Sequence, residues 1–326
     1  MTGNPAQQQN NKNLVIPLLG APGTALSGTD LLSNLTDAEV QYKTVSMLLE
    51  RFRPDGIFPI MDLTVEAEAL GMEISFPQDE NPSVVSHPIK DLESLAQLQQ
   101  QARQGNKGRM EIFTTVAGRL AKNYPDTLIG AYVIGPFTLA GELMGVSDLI
   151  TNAVLDPDLV QRLVDFCLDY ITPYAKAFFA AGAKVVAVLE PTAVMLSPAL
   201  YETFSLRAFR QLREALDNKP LILHICGNTK HIVPAMGRSG AMGLSLDSNV
   251  SLPEMRKLVP PEVALIGNIH PVAIFLNGTP EQVRAATLAL KKEMAQDPNF
   301  ILSSGCDLPP KTPLANIEAF MTAARA

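Results

Sequence analysis

The chain has 326 residues, 47% of them apolar, and a formal net charge of −7. That length and composition can bury one large core or two ordinary ones, while the acidic balance argues against nucleic acid or an anionic membrane as a partner, since both favour a basic surface. The opening "MTGNPAQQQNNKN" lacks the apolar stretch of a signal peptide. The richest apolar stretch, 177–189, is shorter than a bilayer span and carries Lys184. With three cysteines in the whole chain, a disulfide framework is not expected, and thiols kept for metal or catalysis suit a reducing, cytoplasmic setting.

In chain order, residues 1–13 read as a flexible N-terminal segment. After it, short β-branched or apolar runs alternate with longer segments of helical period. The expected strands are 14–19, 56–61, 127–135, 184–190, 220–226, 241–247, 263–269 and 300–306, eight in all. Between the fourth of these and its predecessor lies "DPDLVQRLVDFCLDYITPYAKAFFAAG", where Asp156 can cap the helix start and Gly182 can end it. Before the last strand lies "TPEQVRAATLALKKEMAQ", with Thr279 as cap and Pro280 in the first turn. Eight strands alternating with helices in this length predict an α/β protein of the (β/α)8 TIM-barrel type, one catalytic domain over 14–326. An open doubly wound sheet is the alternative, but no strand leads into a G-x-G-x-x-G turn. There is no Pro/Gly/Ser linker and no internal repeat.

The four histidines are His87, His224, His231 and His270, and the cysteines are Cys167, Cys226 and Cys306. Two of these seven fall in "LILHICGNTK", at the end of the fifth expected strand. Residues two apart on a strand point to the same face, so His224 and Cys226 face inward together if either does. In a barrel the active site forms at the C-terminal ends of the strands, where Asp247 ends the sixth and Cys306 the eighth. One His and two Cys make the ligand set of a catalytic zinc site, which leaves a fourth position open. A pair of buried strand residues is the competing reading of His-x-Cys alone; Cys306, glycine-flanked at another strand end, weighs against it. Cys167, between Phe166 and Leu168, reads as core packing. His87 reads as a turn residue, His231 as the first turn of the helix after strand five, and Asp307 as a ligand-orienting or helix-capping residue. Glu190 and Asp62 also end strands at the active face, where either could cap a helix. His270 follows strand seven at the same face.

"LHICGN", "GLSLDSNVSL", "LIGNIHP" and "LSSGCDLPPKTPLANIEAF" resemble the zinc-dependent methylcobamide:coenzyme M methyltransferases, a branch of the uroporphyrinogen decarboxylase superfamily. "PDGIFPIMDLTVEAEALGMEISFPQDENPSV", "IGPFTLAGELMG" and "EPTAVMLSP" resemble the same superfamily, so the likeness covers most of the chain. The resemblance implies a (β/α)8 barrel whose zinc is held by His224, Cys226 and Cys306. It also implies that Asp247 serves catalysis as a displaceable fourth ligand when the acceptor is absent. Asp62, Glu190, Asn228, Asn268 and His270 are the candidate substrate contacts. The implied methyl donor is a corrinoid of the methylcobalamin type on a partner protein, and the implied acceptor is a small thiol such as coenzyme M.

Two thiolates and a neutral imidazole leave the zinc site without net charge, so an acceptor thiolate makes it negative and stays electron-rich. The corrinoid then carries the harder chemistry. The decarboxylase branch shares the barrel, and Asp62 matches an acidic residue it uses. Against it, no arginine precedes Arg51, Glu142 stands where those enzymes have a tyrosine, and Cys306 stands where they have a histidine. A barrel that binds corrinoid or zinc without turnover is the third reading.

Overall fold

A computed structural model describes residues 14–77 and 80–326. The first thirteen residues, expected to be a flexible segment, lie outside the described ones. Among the described residues the strands are β1 (Gly56–Ile57), β2 (Ile74–Ser75), β3 (Ser83–Val84), β4 (Leu128–Ile134), β5 (Val185–Leu189), β6 (Leu221–Ile225), β7 (Gly243–Leu246), β8 (Ala264–Ile269) and β9 (Phe300–Ser304). β2 and β3 form a small antiparallel pair, and the other seven form one curled sheet in the order β1-β4-β5-β6-β7-β8-β9. Every pairing in that sheet is parallel. The architecture is therefore α/β, with strands laid down in chain order and helices between them.

Two expected strands differ from the observed ones. Residues 14–19 make no ladder but a single parallel bridge, Val15 to Leu302. Ile16 N donates to Leu302 O at 2.9 Å, and on the other side Asp55 N donates to Val15 O at 3.1 Å. Pro17 has no N–H to extend the pairing. The expected strand 56–61 shrinks to Gly56–Ile57, with Pro59 imposing the same limit. The remaining six strands agree with expectation to within three residues at each end.

Burial follows the period of two. Val185, Ala187, Leu189, Ile222 and Ile266 join Ile16, Leu18, Phe58 and Met61 in a small apolar cluster on the inner face. Val186, Val188, Leu223 and Ile225 join the large cluster formed with the helices. Burial on both faces explains why these strands read as nearly continuous apolar runs. The helix Pro157–Ala181 starts where Asp156 accepts from Leu159 N and ends at Gly182. Cys167 within it is fully buried, as packing predicts. The helix Pro280–Glu293 has Thr279 and Gln282 as a reciprocal capping box. Among the described residues no helix is long and apolar enough to cross a membrane.

Candidate metal centre

On β6 the parity that sends Ile222 inward also sends His224 inward, and Cys226 continues it one residue beyond the strand. Cys306 arrives two residues after the end of β9. His224 Nε2 lies 3.0 Å from Cys226 Sγ, the two sulfurs lie 3.2 Å apart, and Cys306 Sγ lies 3.7 Å from His224 Nε2. Among the described residues this is the one group of three or more His, Cys, Asp or Glu side chains close enough to share an ion. Tetrahedral zinc with its usual bond lengths separates two sulfurs by about 3.8 Å, and a sulfur and a nitrogen by about 3.5 Å. The observed spacings differ from those by about 0.2 to 0.6 Å, within reach of small side-chain rotations. The donor set fits the metal.

The rest of the surroundings supports that fit. His224 Nδ1 is 2.9 Å from Ser245 Oγ, which occupies one ring nitrogen and turns the other toward the sulfurs. The hydrogen bond between the thiols, and then burial, pushes Cys226 well up. The same bond, helped by His224, holds Cys306 well below the usual thiol range. A cation bound by both sulfurs as thiolates must displace whatever protons they carry. Gly227, at φ +88°, turns the chain directly after Cys226. Its N–H donates to Asp247 Oδ2 at 3.0 Å, while Asp247 Oδ1 accepts from Ser248 Oγ and from Asn249 N and Nδ2. Asp247 therefore stands beside the cluster, anchored to the loop that follows Cys226.

The uroporphyrinogen decarboxylase (URO-D) profile matches residues 19–326. The chain belongs to the URO-D family. It is 32% identical over 271 residues to "Methylcobamide:CoM methyltransferase MtbA" of Methanosarcina acetivorans, covering 81% of this chain and 77% of that protein. It is 27% identical over 294 residues to uroporphyrinogen decarboxylase of Prochlorococcus marinus, covering 86% and 81%. Among solved structures, a methyltransferase from Methanosarcina mazei superposes with a TM-score of 0.88 at 25% identity, covering 98% of this chain and 95% of that one.

In this URO-D chain the other candidate residues have local partners. The Asp62 side chain, fully buried, accepts from Thr64 N and Oγ1 and is paired with Arg109 Nη1. Arg109 also binds Glu68 at 2.7 Å and Thr64 Oγ1 at 2.9 Å. Glu190 is fully buried and accepts from Phe137 N, Thr138 N and Thr138 Oγ1 at 2.8 to 3.0 Å. It thereby caps the helix Pro136–Met144 from the end of β5. Burial pushes its carboxyl up to about 7 against the pull of those donors. A Cβ at Gly135 would sit 2.1 Å from the Glu190 side chain, so the close approach requires glycine there. Asn268 Nδ2 donates to Asp247 O and Val250 O, both at 2.8 Å, holding the loop after β7. Asn228 is exposed and accepts from Lys230 N. His270 uses Nδ1 to cap the turn Pro271–Leu276.

His231 precedes the short helix Val233–Met236 rather than starting it, and its Nε2 meets Leu196 O at 3.1 Å. His87 is exposed, with Nδ1 2.7 Å from Glu142 O. Asp307 does not cap the final helix Leu314–Arg325, which begins seven residues later behind Pro313. Sequence reasoning passed over Ser245 and Arg109. A polar residue at an inward position of "GLSLD" was the available signal for the first; nothing local marks the second.

Proposed function

We propose that this chain is a zinc-dependent methyltransferase that moves a methyl group from a methylated corrinoid, carried by a partner protein, to a thiol acceptor such as coenzyme M. The observation that carries the reading is the convergence of His224, Cys226 and Cys306 on one point from two non-adjacent strands. The relatives that are methylcobamide:CoM methyltransferases agree with it. His224 through Nε2, Cys226 and Cys306 would hold the metal, with Asp247 as a displaceable fourth ligand. Its Oδ2 keeps a second lone pair after accepting from Gly227 N. When bound, zinc would lower the pKa of an acceptor thiol while leaving the sulfur nucleophilic.

The chain's own residues supply orientation and shelter. The Ser245 bond holds the imidazole, the Gly227 turn points the Cys226 sulfur, and the Glu190 cap fixes the neighbouring loop after β4. The acceptor's sulfur pair goes to the methyl carbon, and the pair of the breaking carbon–cobalt bond stays on cobalt, taking Co(III) to Co(I). Candidate substrate contacts remain Asn228, Asn268 and His270 at the strand ends, with Asp62 and Glu190 as anchors behind them.

We also infer that the curled sheet closes as a (β/α)8 barrel forming one domain over 14–326, with residues 14–19 in the eighth position. The bonds of that segment to both Leu302 and Asp55 support this, as does an inner cavity lined by Ile16 and Leu18 together with residues of every strand from β4 to β9. An acidic chain with free thiols suits the cytoplasm.

The test is demethylation of methylcobalamin by coenzyme M, followed by absorbance, paired with calorimetric titration of coenzyme M in two buffers of different ionisation enthalpy. A free thiol titrates near about 8.5, so binding as thiolate should release a proton and tighten with rising pH below that value. Carbon dioxide released from uroporphyrinogen, with no thiol binding, would make the chain a decarboxylase instead.

A further inference from the structure

The register of the sheet sets His224 on β6 directly opposite Ser245 on β7. Both side chains are almost wholly buried, at 2% and 4% exposure, and His224 Nδ1 meets Ser245 Oγ at 2.9 Å. In a neutral imidazole one nitrogen donates and the other accepts. Nε2 faces the two sulfurs and must be bare to take a cation, so the proton belongs on Nδ1 and is donated to the serine oxygen. Among the described residues the hydroxyl makes no other hydrogen bond, so this one contact determines its use.

The chemistry of this partner is as informative as its position. Metal-binding histidines are commonly oriented by a carboxylate, a backbone carbonyl or water. The cavity beneath His224 is lined by Ile222, Met242 and Ile266, and a carboxylate there would be stripped of water at high cost. It would also add a negative charge behind a ligand set that already contains two sulfurs, weakening the cation's hold on an incoming thiol. A serine orients the ring and adds no charge.

We propose that Ser245 is a positioning residue for the metal: it locks His224 in the Nδ1–H tautomer and ring plane through a neutral acceptor, leaving the cation's charge for the substrate sulfur. The proposal rests on the zinc reading above and adds a residue to it. It is tested with purified full-length chain, measuring Zn²⁺ affinity by competition with a chromophoric chelator and the ligand-field spectrum of the Co²⁺-substituted protein. Ser245→Ala should weaken zinc binding about 10- to 100-fold and broaden the Co²⁺ bands, because the ring samples other orientations. Ser245→Thr, whose hydroxyl can occupy the same place, should restore both. Unchanged affinity and spectrum in Ser245→Ala would overturn the proposal. So would a stability loss in the metal-free variant with zinc affinity kept, which would make the bond purely structural. A wild-type chain that takes neither ion would overturn the zinc reading together with the proposal; a wild type that binds both ions separates the two.

Discussion

Replacing Cys306 by alanine should abolish the dependence of thermal stability on metal while leaving the fold in place. Cys306 belongs to neither apolar cluster, so its loss opens no core cavity. It does remove one of the three side chains that, among the described residues, converge closely enough to share an ion. A ligand present at a thousand times its dissociation constant stabilises the native state by about 4 kcal/mol. The unfolding entropy of about 2.1 cal/mol/K per residue, taken over 326 residues, is about 0.7 kcal/mol/K. Saturating zinc should then raise the wild-type melting temperature by about 6 °C over the chelator-treated protein. In Cys306→Ala the two melts should coincide, and both should lie close to the metal-free wild type. Calorimetric scans with and without a chelator, alongside zinc analysis of the purified protein, measure this. A variant that keeps stoichiometric zinc and the full thermal shift would refute the assignment of Cys306 as a ligand.

Asp247→Ala should retain the metal and exchange the carboxylate oxygen for water, so zinc-edge absorption should detect a changed oxygen shell; an identical shell with and without Asp247 removes it from the coordination sphere. Glu66 is buried with only Ile134 N bonded to its Oε1, and burial pushes its carboxyl up to about 8. The native state therefore keeps a proton that the unfolded chain has released, and stability falls as pH rises from the ordinary carboxyl range toward about 8. Glu66→Gln keeps an acceptor for Ile134 N and should flatten that decline by up to about 1.4 kcal/mol per pH unit in denaturant titrations; an unchanged slope would count against it. Arg109→Met strands the buried Asp62 carboxylate and should cost about 3–5 kcal/mol in urea unfolding, with Asp62→Asn in the same chain recovering part of the loss. Equal stability of Arg109→Met and wild type would mean that the Asp62 site rehydrates at no cost.

The features legible in the sequence are those written within one element. Runs such as "KVVAVLE" and "PLILHIC" announce buried parallel strands because both of their faces are apolar, and capping residues such as Asp156 and Thr279 mark helix starts by direct bonds to the next turn. Residues 14–19 have the same apolar look, yet Pro17 removes a donor that a ladder needs, and the segment is held by one bridge, by isolated backbone bonds from Asp55 N and Leu308 N, and by side chains instead. Leu18 N donates to Ser304 Oγ, and Ser303 Oγ donates to Ile16 O. Composition reports the burial of a segment; pairing depends on partners far along the chain. Ser245 and Arg109 were missed for that reason. The first acts through strand register, and the second reaches Asp62 across 47 residues.

The convergence of His224, Cys226 and Cys306 is itself a measurement of the sheet's curvature. Two strands, β7 and β8, separate β6 from β9, and neighbouring strands lie about 4.8 Å apart. In a flat sheet the ends of β6 and β9 would thus be about 14 Å apart, and parallel side chains could not close that distance. The Cys226 and Cys306 sulfurs are nonetheless 3.2 Å apart, so the inner face must bend until side chains on its far members converge. Elsewhere on the concave side, a Cβ at Gly130 of β4 would sit 2.2 Å from the Phe58 ring, so glycine there admits that ring to the inner cluster. The same curvature that brings two thiols and an imidazole to one point also turns the ends of β4, β5, β7 and β8 toward it. Glu190 and Asp247 are thereby placed to hold the loops around the centre, without being read from any motif as a set.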